Sequence, residues 1–259
     1  MPTEHARAVV LTYHAIDRGS TPLSVEPTLF RRQLDCIVDC GASSLTVAEL
    51  TERVSSGTIP DRAVAITFDD GFASVISEAA PMLLERGLVA TVFCVAGYLG
   101  SSNDWPTQPK RAVGARLATS AELAELVQVG FEVGGHGMEH APLHDGAEPF
   151  LQKEIVESRR LLEEAIGEDV RSFAYPYGVQ PGARARRLVE STYDAACTTA
   201  IGRVDTTVDR FALPRVDAHY LRRPNVLRLV VNGRLDWYLA ARRRGAALRR
   251  LARTDYEES

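Results

Sequence analysis

The chain has 259 residues, of which 45% are hydrophobic and 25% charged, and its formal net charge is −4. That is the composition of a folded globular protein, and it excludes collagen-like, low-complexity and intrinsically disordered classes. No apolar run approaches the ~20 residues of a transmembrane helix. The opening MPTEHARAVVLTYHAI lacks a basic region followed by a long apolar core, so a cytoplasmic protein is expected.

VVLTY, residues 9–13, reads as a buried strand built from aliphatic residues and a tyrosine, and it ends in His14. A helix is predicted over 27–40, with Thr28 near its start. Thr46 and Glu49 form a capping box that opens a helix over 47–54. AVAITF, 63–68, is the next strand, followed by a helix over 73–86 that Gly87 stops. After a strand over 89–95, residues 97–114 are rich in Gly, Ser, Asn and Pro and read as a long functional loop. A helix over 121–129 has Ser120 as its cap and Gly130 as its stop. A strand over 131–133, a helix over 149–166, a strand over 172–175, a helix over 181–191 and strands over 194–197 and 211–215 follow. A last helical region is predicted over 225–253.

The βα alternation predicts a parallel sheet with helices outside it. About seven parallel strands suit a distorted (β/α) barrel. We expect the barrel over 1–221 and a basic helical extension packed on it over 222–259. Residues 222–253 hold ten arginines and one acid, Asp236, while Leu235, Tyr238, Leu239, Leu248 and Leu251 recur at roughly helical spacing. A packed helix with a solvated basic face fits this pattern. So does a helix on an anionic membrane surface, which would place the protein at the inner membrane face. Nucleic acid is disfavoured, because the body is acidic and no nucleic-acid motif accompanies the tail. The cysteines Cys36, Cys40, Cys94 and Cys197 lack zinc-ribbon spacing and are expected to be reduced core thiols.

Polar residues gather where the predicted strands stop, and in a βα barrel those ends meet at one rim. Asp69-Asp70-Gly71 follows an apolar strand. Regular strand geometry would send the two carboxylates to opposite faces, whereas a turn at Gly71 brings both to the rim, one for a metal and one for a proton. The structural reading is a pair of turn or capping aspartates. His136 and His140, in GGHGMEH, share a face if the segment is helical, and two histidines with one carboxylate form a three-ligand metal set. Two surface histidines in a loop are the plain alternative. Tyr175-Pro176-Tyr177-Gly178 fixes a turn whose N–H can serve an oxyanion, or simply covers the core. Trp105 in the long loop, and Tyr175, are candidate sugar contacts. Trp105 equally suits an apolar edge. His14 alone reads more readily as a hydrogen-bonded structural histidine.

Together these motifs resemble the polysaccharide deacetylase family, the nodulation-protein-type deacetylase domain of carbohydrate esterase family 4. Thr67-Phe68-Asp69-Asp70-Gly71 matches its TFDDG signature, His136-Gly137-Met138-Glu139-His140 its His-x-x-x-His, and Pro176-Tyr177-Gly178 its Pro-Tyr-Gly turn. The resemblance covers roughly 9–216. It implies a distorted (β/α) barrel and metal-dependent removal of N- or O-acetyl groups from an acetylated sugar or glycan. It implies one divalent ion, zinc ahead of cobalt, nickel or iron, on Asp70, His136 and His140, with Asp69 as base. Two positions depart from the family pattern. Its usual arginine two residues before the proline is Ala174 here, and no Leu-x-His segment stands near the C-terminus, where His219 follows no such strand. Arg215 in FALPRV looks like the variant arginine from another strand. LTYHAI looks like the Leu-x-His strand moved to the N-terminus, as in the circularly permuted poly-N-acetylglucosamine deacetylases, with His14 as the acid. A same-fold amidohydrolase of a small N-acyl or cyclic amide, and a catalytically inactive glycan-binding barrel, are the alternatives.

Overall fold

β1 (Val9–Tyr13) is buried along its whole length, as a strand covered on both faces must be. The computed structural model describes residues 7–19, 21, 23–108, 114–144, 146–178, 181–234, 239 and 241. After β1 come the short strands β2 (Ala15–Ile16) and β3 (Ser24–Val25), which pair only with each other. The remaining strands are β4 (Ser43–Leu45), β5 (Ala63–Phe68), β6 (Thr91–Cys94), β7 (Glu132–Gly135), β8 (Ser172–Ala174), β9 (Ala195–Cys197) and β10 (Val216–Asp217). Their order is β10-β1-β5-β6-β7-β8-β9, with every neighbouring pair parallel and β4 added to the first half of β5. The open ends of that order also meet. Leu213 bridges in parallel to Cys197 of β9, and Ala8 bridges to Val204. The sheet is therefore the expected distorted barrel.

Strand alternation divides the core in two. Val9, Leu11, Val64, Ile66, Phe68, Val92, Val133, Phe173 and Ala196 pack with helix residues in the larger cluster. Val10, Ala63, Ala65, Phe93, Ala174, Ala195, Cys197 and Leu213 form the inner cluster. The inner set is mostly small, apart from Phe93 and Leu213. A Cβ at Gly134 would collide with the Phe93 ring, so glycine there lets the ring fill the barrel. Helix α1 (Pro27–Asp39) lies on the outer face, and α2 (Val47–Ser56) packs Val47, Leu50 and Val54 into the inner cluster. The start of α2 closes one end of the barrel. There the half-buried Glu132 carboxylate accepts from Ala48 N–H (3.0 Å), Thr91 hydroxyl (2.7 Å) and Ser172 hydroxyl (2.6 Å). Burial raises the pKa of Glu132, against these donors. The floor of the barrel is thus a closed polar network at the N-terminal strand ends, which leaves the opposite rim open.

The helices follow the predicted order, with local differences. The box of Thr46 and Glu49 caps α2 as expected. In α1 the cap is Glu26, which accepts from Thr28 and Leu29 N–H. The predicted helix over 73–86 begins with a wide π-type turn, Val75–Ala79, before α3 (Ala80–Leu84). α4 (Ser120–Gln128) is capped by Thr119, not Ser120, because Thr119 stands three before Glu122 and completes the reciprocal box. α5 (Glu148–Leu151) and α6 (Ser158–Ile166) are joined by a second π-type turn, Gln152–Glu157. α7 (Ala183–Thr192) precedes β9. The predicted strand over 211–215 is not formed. Pro214 lacks the N–H a ladder needs, so Leu213 makes a single bridge and pairing resumes only at Val216. α8 (Pro224–Val231) packs Leu227, Val230 and Val231 into the outer core, and its Arg228 reaches Asp39 of α1. Most of the predicted tail helix lies outside the described residues. Among the described residues no helix is long and apolar enough to cross a membrane. All four cysteines are buried and free.

Candidate active site

The C-terminal ends of the strands surround a cavity of about 360 Å³, lined among others by His14, Asp69, Asp70, His136, His140, Tyr177 and Arg215. Sequence-distant motifs thus converge as the barrel topology requires.

Asp69 continues β5, and its N–H donates to the Tyr13 carbonyl at 2.9 Å. Asp70 and Gly71 both adopt left-handed backbone, φ 72° and 75°, a region that aspartate tolerates better than most residues. That turn cancels the strand alternation and aims both carboxylates into the cavity. Asp69 meets Arg215 in a fork, Nη1–Oδ1 2.7 Å and Nη2–Oδ2 2.8 Å. Arg215 also donates Nε–H to the Thr198 carbonyl (3.0 Å) and Nη1–H to the Thr67 hydroxyl (3.3 Å), with its guanidinium 5.7 Å from the centre of the Phe93 ring. The small interior residues leave room for it. Burial alone would raise the Asp69 pKa, but the Arg215 guanidinium together with the nearby His136 and His14 outweighs it, so the carboxyl is held below its ordinary value.

The two histidines are not on a helix. β7 ends at Gly135, and His136 N–H donates to the Cys94 carbonyl at 2.9 Å. Gly137 and His140 then take left-handed backbone, φ 83° and 53°. A strand end and a tight loop, not a helical face, bring the imidazoles together, with ring centres 4.7 Å apart. His136 Nδ1 faces the Ala174 carbonyl at 2.7 Å, so it carries the proton and Nε2 presents a lone pair. The His140 ring packs between Trp105 (centroids 4.6 Å) and Tyr177 (4.5 Å).

Asp70 Oδ1 lies 3.5 Å from His136 Nε2 and 3.3 Å from His140 Nε2, and the two Nε2 atoms are 3.2 Å apart. All three ligand atoms fall within 4.8 Å of one another. Among the described residues, Asp70 Oδ1 is buried with no hydrogen-bond partner of good geometry. Lone pairs that converge without shared protons are unfavourable unless a cation sits among them, and the Asp-His-His set suits a divalent metal. Burial opposes the charge on Asp70, and the imidazoles more than offset it, lowering its pKa. Burial also disfavours protonation of both histidines. It prevails at His140, which is lowered, whereas Asp70 and Asp69 outweigh it at His136, which is raised.

His14 is half-buried on the cavity wall, one residue past the pair Tyr13 and Phe68 that aligns β1 with β5. His219 is exposed and lines a separate hollow with Ser24, Glu26 and Arg222. Tyr177 has φ 59° and stands 40% exposed at the rim, its hydroxyl donating to Thr107 Oγ1 at 2.7 Å. Two expected sugar contacts are corrected. Trp105 is 1% exposed and stacks on His140 and Tyr98, and Tyr175 is 1% exposed against Phe173. Neither lines the cavity, because the loop folds its indole inward and β8 turns Tyr175 to the core. Thr12 and Gln108, unremarked in the sequence, do line it, and the Thr12 hydroxyl and Gln108 amide nitrogen are buried without a partner among the described residues. Thr12 was available from alternation, two residues before His14.

The polysaccharide deacetylase family model matches residues 56–196. The poly-beta-1,6-N-acetyl-D-glucosamine N-deacetylase of Staphylococcus epidermidis is 24% identical over 239 residues, covering 82% of this chain and 79% of its own. Among solved structures, IcaB from Ammonifex degensii has a TM-score of 0.73 at 24% identity, covering 87% of this chain and 96% of that one. The Streptococcus pyogenes deacetylase PplD in complex with acetate has a TM-score of 0.72 at 24% identity, covering 82% and 92%. Both structures share this barrel. With more than half its length matched by the family model and TFDDG and His-x-x-x-His meeting in one cavity, the chain belongs to the polysaccharide deacetylase family.

Proposed function

We propose that the protein is a metal-dependent N-deacetylase that releases acetate from a polymer of N-acetylated amino sugars, with poly-N-acetylglucosamine as the favoured class. The observation that carries this reading is the placement of the Asp69–Arg215 pair beside the Asp70, His136, His140 cluster on one cavity wall. The substrate class follows the relative from Staphylococcus epidermidis.

Asp70, His136 and His140 would hold one divalent ion, with zinc our first choice. When bound, that ion supplies Lewis-acid polarisation of the acetamide carbonyl and lowers the pKa of water. Asp69, kept ionised by Arg215, accepts the proton of the attacking water. The Tyr177 N–H, at a left-handed turn on the rim, donates to the oxygen that gains charge, and such a donor contributes about 3 kcal/mol to the barrier. His14 gives a proton to the amine nitrogen as the C–N bond breaks, leaving acetate and a free amino sugar. Thr12 and Gln108 offer unused polar groups to the sugar.

Acetate release from acetylated sugars and oligomers, before and after chelation and metal add-back, tests the reading. Chelator-resistant turnover overturns the metal assignment. Metal-loaded enzyme inactive on every acetylated sugar, yet active on a small N-acyl amide, shifts the assignment to that class. The ten arginines of 222–253 support a further reading, a cytoplasmic enzyme held at an anionic membrane surface. Equal sedimentation with anionic liposomes of full-length protein and a truncation after Val231 refutes it.

A further inference from the structure

His136 and His140 are held in different ways. The His136 ring is locked by the Ala174 carbonyl. The His140 Nδ1 has no hydrogen-bond partner among the described residues, and its ring is held by packing against His136, Trp105 and Tyr177. Its placement then depends on the backbone of the loop from Gly137 to His140, which contains left-handed residues at both ends. That backbone is fixed from two sides. Its carbonyls accept from the opposite loop, Gly137 O from Ala96 N–H (2.9 Å) and Met138 O from Gly97 N–H (3.0 Å). Its N–H groups are taken by one side chain. Glu154 accepts from Met138 N–H at 3.0 Å and from Glu139 N–H at 3.2 Å.

Glu154 is fully buried, and its helix reaches the loop through the π-type turn Gln152–Glu157. Such turns are inserted where a helix must re-aim a side chain, often at functional sites. A Cβ on Gly137 would stand 2.7 Å from Glu154 Oε2, so glycine is what lets the carboxylate approach. A buried carboxylate spent on two loop amides is costly to desolvate unless those bonds are made.

We infer that Glu154 is a positioning residue for the metal site, holding the loop that carries His140 in its ligand geometry through the Met138 and Glu139 amides. This rests on the metal reading of Asp70, His136 and His140. Glu154→Gln keeps the size and one acceptor but places an N–H against an N–H. Partners behind metal ligands typically contribute 10–100-fold to metal affinity.

The test uses the full chain and two readouts. Amide hydrogen exchange of metal-free protein reports Met138 and Glu139 directly, and chelator competition reports zinc affinity. E154Q should lose protection at those amides and bind zinc about tenfold more weakly or worse. Lys153→Ala, on the same turn and bonded to the Glu139 side chain rather than to the loop amides, should keep both. E154D, which withdraws the carboxylate by one methylene, carries the same measurements if E154Q does not fold. Folded E154Q with wild-type zinc affinity and wild-type exchange at 138 and 139 overturns the inference, as does an equal loss in K153A. Wild-type protein that binds no zinc sinks the metal reading instead, and amide exchange then decides the role of Glu154 alone.

Discussion

Replacing Arg215 probes the buried Asp69–Arg215 pair from its cationic side. The guanidinium contacts both Asp69 oxygens at 2.7 and 2.8 Å, and the two side chains are 1% and 6% exposed. Arg215→Met keeps the length of the side chain but leaves Asp69 buried and unpaired. Removing one partner of such a pair costs about 3–5 kcal/mol, a large part of the 5–15 kcal/mol that holds a domain folded. The sign with pH follows from linkage. In the wild type the Asp69 pKa is depressed, so the pair stabilises the fold above the ordinary carboxylate range, and this contribution is lost as pH falls through the depressed value. In R215M burial acts without its main opponent, and the Asp69 pKa rises. The variant then relieves its unpaired charge by protonation as pH falls, so its deficit is largest at neutral pH and narrows on acidification.

The same shift has a kinetic consequence. A protonated Asp69 cannot take the proton of water, so the acidic limb of kcat/KM moves to higher pH in R215M. Arg215→Lys restores the charge without the fork and should fall between the two. Urea denaturation of wild type, R215M, Asp69→Asn and the double variant, at neutral and mildly acidic pH, isolates the coupling. A neutral-pH deficit under about 1 kcal/mol, the value of an exposed pair, refutes the reasoning. So does a deficit that does not narrow in acid.

His14→Gln should lower kcat by about 10²- to 10⁴-fold with zinc affinity unchanged by chelator competition, whereas His219→Gln should match wild type, because His219 lies outside the cavity. D69N should retain metal by elemental analysis while losing turnover, and near-normal activity with stoichiometric metal removes Asp69 from the mechanism. Trp105→Ala should lose about 3–5 kcal/mol in denaturant titration and also bind zinc more weakly, because the indole backs the His140 ring at 4.6 Å. A sugar-binding role would instead raise KM with stability and metal affinity intact.

The barrel was legible because its evidence is local and repeated. Apolar strands such as Ala63–Phe68 and capping pairs such as Thr46 with Glu49 declare themselves within a few residues. The short strand β4 was missed because Ser43–Leu45 carries two serines and is at most half-buried. Both π-type turns were invisible, since one extra residue per turn leaves an apolar pattern readable as a regular helix. The cluster of Asp69, Asp70, His136 and His140 was legible as a set, but not the way it is assembled. His136 and His140 have helical spacing, yet glycines at 134, 135 and 137 favour a strand end and a left-handed loop over a helix. Trp105 was misplaced because a tryptophan in a polar loop looks exposed. Its burial depends on contacts with Tyr98 and His140 that no sequence window contains. Glu154 was unremarkable for the same reason, since its partners lie fifteen and sixteen residues away.

With the roles proposed above for His14 and Arg215, strand order around the barrel would account for the two departures from the family pattern. β1 lies between β10 and β5, with Leu11 opposite Val216 on one side and Tyr13 opposite Phe68 on the other. Residues one step past those pairs stand side by side, so His14 falls next to Asp69 whichever terminus supplies its strand. Arg215 enters the same interior immediately before β10 and spans to Asp69, while Ala174 faces the inner cluster with no side chain to compete for the space. An arginine at 174 in this chain would have to share that interior with Arg215 over Phe93. Two guanidiniums against one carboxylate would leave a buried cation unpaired, which is costly in a dry core. On the proposed role of Arg215, the absence of one arginine and the presence of the other would be a single choice, made by which strand end reaches Asp69. Ala174→Arg alone should destabilise the fold, and the double change Ala174→Arg with Arg215→Ala should recover part of that loss in denaturant titration. If the double variant is no more stable than A174R, the two positions do not compete for one site.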